Sequence, residues 1–143
     1  MSTLSNLFSA ANFRTTIRNY CNQIGWKIAE IDDKHATLLF DMNSGRTQKL
    51  FIIRYGEVLE FSVPSLLQAD DDDEIPHPLS TLLLKRNAQM SIGFWAIEEI
   101  NQKFTFSIMH NAPLELINVK FFEAVVNSLI SECDELEGLM LSE

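Results

Sequence analysis

From Leu79 to Leu141 the apolar spacing switches from helical to strand period and back, and that order restricts the possible architectures more than any other feature of the chain. Pro78 can open a helix at its first turn, and Leu79, Leu82, Leu83 and Arg86 then follow along one side. Ser91 to Glu98 sets Ile92, Phe94 and Ala96 against Gly93, Trp95 and Ile97 at strand period. A turn over Glu99 to Gln102 returns the chain through Phe104, Phe106 and Ile108. The apolar run from Pro113 to Leu141 reads as a long helix with Val119, Phe122, Val126, Leu129, Ile130, Cys133, Leu136 and Met140 as its stripe. Glu132, Asp134, Glu135 and Glu137 crowd its end. Negative charge there opposes the helix dipole by about 0.3–1 kcal/mol per charge, so the helix end is expected to be exposed or frayed.

The front half reads as one helix followed by a meander of four strands. Phe13, Ile17, Tyr20, Cys21 and Ile24 share a helical face, with Gly25 placed to end the helix. Leu4, Leu7, Phe8 and Ala11 form a second stripe on roughly the opposite side, and one helix cannot bury both against the same sheet. Either the helix breaks near Ser9 to Asn12, with Asn12 as a cap, or the first stripe meets a partner. Strands are expected at Trp26–Ile31, at Ala36–Met42, at Thr47–Arg54 and, after a hairpin at Tyr55-Gly56, at Glu57–Val63. Leu50 and Ile52 alternate with Phe51 and Ile53, so neither side of the third strand is expected to be simply bathed in water.

Composition limits the function classes. At 143 residues the chain has the length of a single domain, and 46% hydrophobic residues suffice for one core. A net charge of −9 with 11 scattered Lys and Arg argues against nucleic acid and anionic membrane as partners. Five of the 20 acids stand together at Asp70, Asp71, Asp72, Asp73 and Glu74, supplying over half of that imbalance. With Pro76 and Pro78 following, a mobile acidic loop is expected over residues 68–78, either plainly solvated or meeting a basic partner segment. A calcium loop counted from Asp70 would need Gly at its sixth position and Glu at its twelfth, where Ile75 and Thr81 stand. The N-terminus carries no basic start with an apolar stretch, and no apolar run nears the ~20 residues of a membrane span, so a cytoplasmic protein is expected.

Catalytic patterns are missing. His35, His77 and His110 are far apart in sequence, and none has a second ligand at helical spacing. Cys21 and Cys133 lie within apolar helical stripes, which is how inert packing cysteines are placed. No nucleophile elbow, phosphate-binding loop or dinucleotide turn is present. The expectation is a non-catalytic protein with no cofactor and no metal.

The helix–strand–strand–helix stretch resembles the class I type III secretion chaperone superfamily and the related YbjN-like proteins. Leu83-Leu84 followed by Asn87 is similar to the family's Leu-Leu-x-x-Asn ending of the middle helix. Gly93-Phe94-Trp95-Ala96-Ile97-Glu98 resembles its Gly-containing strand, and Met109, Pro113 and Leu114 resemble its return strand and entry to the last helix. The resemblance spans about half the chain, and the front half agrees in element order alone. It implies an α+β fold in which a twisted antiparallel sheet is flanked by three helices in the order α-β-β-β-β-α-β-β-α. It also implies a bacterial homodimer, joined through the middle helix and the strand after it, that holds a partner polypeptide in extended form. The alternative under the same resemblance is a YbjN-like regulatory or sensory domain that binds a small ligand or signalling protein. Leucines on more than one side of the middle helix make Leu82, Leu84 and Trp95 the candidate dimer contact. Leu4, Leu7 and Phe8 are the candidate partner-binding patch.

Overall fold

Six strands and three helices follow one another in a computed structural model that describes residues 3–141, with side chains from Asn12 to Leu141. Helix α1 (Thr3–Ile24) leads into β1 (Ile28–Ile31), β2 (His35–Asp41), β3 (Thr47–Tyr55) and β4 (Val58–Ala69). Helix α2 (His77–Asn87), β5 (Phe94–Ile100), β6 (Lys103–Pro113) and α3 (Val119–Leu141) complete the chain. This is the expected α-β-β-β-β-α-β-β-α order. The strands form one antiparallel sheet in the order β1-β2-β3-β4-β6-β5, so only β5 departs from meander order, folding back outside β6.

Strand alternation divides the sheet into a covered and a bare face. Leu38, Leu50, Ile52, Leu59, Phe61, Val63, Phe106 and Ile108 point to the covered face and are buried. The α3 stripe, with Phe122, Val126, Leu129 and Cys133, lies against them, and α1 adds Phe13, Ile17 and Cys21. The Phe122 ring sits 5.2 Å from Tyr20, 5.9 Å from Phe61 and 6.1 Å from Trp26, joining both helices to the sheet. Leu79 and Leu83 bring α2 to the same side, against Trp95 and Phe106. The opposite face carries Phe51, Ile53, Glu60, Ser62, Met109, Phe94 and Glu98 in register, with no helix over it among the described residues.

Several boundaries differ from expectation, each for a local physical reason. Helix α1 is continuous from Thr3 to Ile24 rather than broken near Ser9–Asn12; the segment contains no Pro or Gly to interrupt its hydrogen-bond ladder. Strand β4 runs past Pro64 to Ala69, because the register shifts between Pro64 and Gln68 and the proline sits at the start of that bulge. Gln68 and Ala69 therefore pair with Thr105 and Phe104, and the irregular stretch before α2 narrows to residues 70–76. The β5–β6 turn tightens to Asn101 and Gln102, both at positive φ. Helix α3 starts only at Val119, where the Asn118 side chain accepts the Phe121 N–H at 2.8 Å as a cap. His110 lies inside β6.

The end of α3 is exposed, as expected, at Leu139, Met140 and Leu141, but the acids before it are held in place and the helix runs unbroken to Leu141. Glu137, only 2% exposed, accepts from Gln48 Nε2 at 2.7 Å and from the Leu66 N–H at 2.8 Å. Asp134 accepts from Ser44 Oγ, Gln48 Nε2 and Arg46 Nε, and the Arg46 guanidinium also donates to the Asp134 carbonyl at 2.8 Å. Gly138 leaves room for that guanidinium, since a Cβ there would come within 3.1 Å of Arg46 Nη2. Asp134 and Glu137 therefore have donors from the β2–β3 turn, β3 and the β4 bulge, and these offset a dipole cost of about 0.3–1 kcal/mol per charge. Glu137→Ala would strand a buried amide and a strand N–H. We expect it to lower unfolding free energy by about 1–3 kcal/mol in urea titration, and a loss below ~0.5 kcal/mol would contradict this account.

Candidate protein-binding surface

The edge formed by α2 and β5 combines order with exposed apolar surface. Pro78 in the first turn of α2 suits a position where no intrahelical N–H bond is needed. Leu79 and Leu83, four residues apart, face inward, while Leu82 and Leu84 face out, Leu84 at 69% exposure. At the end of the helix Asn87 turns its amide onto the edge strand. Its Oδ1 accepts the Trp95 N–H at 2.6 Å, and its Nδ2 donates to the Trp95 carbonyl at 3.1 Å. One side chain thus imitates a neighbouring strand at a single residue. Since Trp95 turns both backbone groups away from β6, alternation turns those of Ile97 and Glu99 outward too, beyond the reach of Asn87.

Glu132 on α3 fixes this arrangement from beneath. It accepts two hydrogen bonds from Arg86, each at 2.7 Å, and one from the Trp95 indole N–H at 2.9 Å. Burial by itself would raise the Glu132 carboxyl, but these hydrogen bonds and the Arg86 charge outweigh it and hold the group below its usual range. Between α2 and β5 remains an apolar recess of about 220 Å³, lined by Ser80, Leu83, Leu84, Trp95, Ile97 and Phe106. Gly93 at φ +89° opens β5, and a Cβ there would lie 2.7 Å from Leu129 Cδ2. Its N–H donates to His110 Nδ1 at 3.1 Å, which requires that nitrogen to be unprotonated. Burial pushes the His110 pKa down.

The three proposed dimer residues fall at this one edge, but in different roles. Leu82 and Leu84 are exposed, whereas Trp95 is 5% exposed and forms the floor of the recess. Leu4, Leu7 and Phe8 of the proposed partner patch lie outside the residues whose side chains are described. Sequence reasoning missed Asn87 as an edge cap and Glu132 as a hub, because their partners are 8 and 37–46 residues away. Glu137 did leave a signal: it stands four residues after Cys133, on the apolar stripe itself.

Catalytic groups are not brought together. Burial pushes the Cys21 thiol up to about 11 and the Cys133 thiol higher still, so neither is a nucleophile near neutral pH. His35 is exposed beside Asp32, and among the described residues no three His, Cys, Asp or Glu side chains are grouped to hold a metal. No helix among the described residues is long and apolar enough to cross a membrane.

Solved structures share this arrangement across nearly the whole chain. A chain of the HopA1-SchA chaperone–effector complex matches with a TM-score of 0.65 at 12% identity, covering 94% of this chain and 97% of its own length. A chain of the ExsC-ExsE complex matches at 0.64 and 14% identity, covering 92% and 95%. YbjN, a putative transcription regulator from E. coli, matches at 0.58 and 14% identity, covering 87% and 89%. No protein-family model matches the sequence, and no curated protein matches it significantly. The fold is therefore the chaperone-like α+β fold that the sequence motifs led us to expect, and the likeness now extends to the front half.

Two measurements test this edge. Asn87→Ala should cost about 1–2 kcal/mol of stability and speed hydrogen exchange at the Trp95 amide. Because His110 titrates lower in the fold than its usual value near 6.5, stability should be constant above that pH and fall as the solution is acidified below it. His110→Gln should flatten that part of a series of urea midpoints against pH.

Proposed function

We propose that this protein is a non-catalytic, dimeric protein-binding module of the bacterial cytoplasm that holds a partner polypeptide in extended form. The observation that carries this reading is the apolar strip at the α2–β5 edge. Leu82, Leu84 and Ile97 all remain exposed beside a recess that Trp95 helps to line. Such a strip is unfavourable in water by about 25 cal/mol per Å², and a second copy offering the same strip would cover it as a two-fold contact. The likeness to a chain from a chaperone–effector complex supports the partner-holding role. Outer backbone groups at Ile97 and Glu99 and along β1 provide sites where an extended segment can add as a strand. Leu4, Leu7 and Phe8 remain our candidate for an adjoining apolar patch, and the molecule as a whole is read as a single domain.

The second reading, a regulatory or sensory domain, draws on the likeness to YbjN. The α2–β5 recess of about 220 Å³ is small beside the roughly 300–1,000 Å³ of ordinary ligand pockets, so that edge gives the second reading little support. Size-exclusion light scattering should give a dimer for the native chain and a monomer for Leu84→Asp, with an unchanged circular dichroism spectrum. A pull-down from the source cell should return one dominant polypeptide. A native monomer would refute the dimer, and a pull-down without any polypeptide would refute the partner-holding role.

A further inference from the structure

The sheet face away from the helices has a polar centre that meets no cationic side chain among the described residues. Glu60 on β4 and Glu98 on β5 stand on either side of β6, opposite Asn111 and Thr105 respectively. The Glu98 carboxylate reaches back across β6, where its Oε1 accepts from Ser62 Oγ at 3.0 Å. Burial and, after it, the charge of Glu98 raise the proton affinity of Glu60. Among the described residues neither acid forms an ion pair with a Lys, Arg or His.

A second observation falls on the same face. Thr105 and Ser107, both 0% exposed, have hydroxyls without a hydrogen-bond partner. Register sets Thr105 between Gln68 and Glu98, and Ser107 between Pro64 and Ala96. Thr105, directly opposite Glu98, therefore puts an unpartnered buried hydroxyl next to one of the two acids. Apolar groups flank this centre on both sides: Phe51 and Ile53 on β3, Phe94 and Met109 towards β5.

We propose that this face binds an extended partner segment that presents a lysine or arginine to the Glu60–Glu98 pair and places apolar side chains on the flanking groups. The inference rests on the protein-binding reading above and specifies the chemistry of the partner. A basic segment fits because two half-buried carboxylates with no Lys, Arg or His paired to them among the described residues favour a cation, and the planar fork of a guanidinium matches a carboxylate. A second copy does not fit, since a two-fold contact through this face would bring acid against acid in a chain of net charge −9. Crossing from β3 to β5 covers about 14 Å, the reach of roughly four to five extended residues. Side chains two apart share a face, so the recognised pattern is apolar-x-basic-x-apolar.

The test uses the labelled full-length chain, with amide shifts followed by NMR, and the peptide Ser-Val-Ser-Arg-Ser-Val-Ser beside a twin carrying Glu for Arg. Shifts should cluster at residues 60–62, 96–98 and 105–109, with the twin binding at least about tenfold more weakly. The Glu60→Gln/Glu98→Gln double variant should lose about tenfold in affinity without a lower melting temperature, because it removes like-charge repulsion. Thr105→Val supplies an independent variant and should also weaken binding. The proposal is overturned if the shifts map elsewhere, if the twin binds equally, or if the double variant binds as well as the native chain. It is also overturned if calcium chloride alone, or protein concentration alone, reproduces the shifts. If those results coincide with a double variant that still captures the cellular polypeptide, this inference fails and the protein-binding reading stands. An empty pull-down with the native chain sinks that reading instead.

Discussion

Packing of α3 across the middle of the sheet is the contact on which the other elements depend. Its apolar stripe lies over β3, β4 and β6, and Phe122 joins that surface to α1 through Tyr20 and to the β1 side through Trp26. Side chains of this size, fully buried, each contribute about 1.5–3 kcal/mol from water exclusion, more than a typical hydrogen bond between neutral groups. Helix α2 has a weaker hold. Only Leu79 and Leu83 are buried, so its position relies on Asn87, on Arg86 and on the carboxylate of Glu132. The helix beside the proposed dimer surface is therefore held largely by directional polar contacts, which fix its orientation as well as its distance.

One-sided burial has a consequence for function. With α1, α2 and α3 gathered on the same side, the other face of the six-stranded sheet has no helix over it among the described residues and leaves Phe94 exposed and Phe51 and Ile53 half-buried. Both sheet edges retain unpaired backbone groups, restrained by the shortness of β1 and by the single amide of Asn87. A molecule with open edges and a bare face is suited to receiving another chain. Among the described residues no three His, Cys, Asp or Glu side chains are gathered to hold a metal, and burial raises the pKa of both thiols.

Periodicity was informative where a residue's neighbours lie close in sequence. The helical stripe of α3, the alternation in β2, β3, β5 and β6, and the leucines of α2 all appear in the structure close to their expected places. Errors arose where a distant group decided. Pro64 reads as a strand end, but the bulge lets β4 continue and pair with the start of β6. The acids of α3 read as a helix end in difficulty, because their donors Arg46, Gln48 and Arg86 lie on other elements. Glu60 and Glu98 gave no signal, since each stands on its own strand and only the β4-β6-β5 order brings the two near.

The amino-acid sequence alone determined the number, type and order of the elements and the apolar face that each presents. Those properties follow from the spacing of side chains along a helix or strand, which is a local matter. Tertiary structure decided which strand lies beside β5, which carboxylates are satisfied and which stay paired against one another, and which face of the sheet is left uncovered. Such properties depend on groups tens of residues apart meeting in space, where burial changes the cost of a charge and register chooses its neighbours.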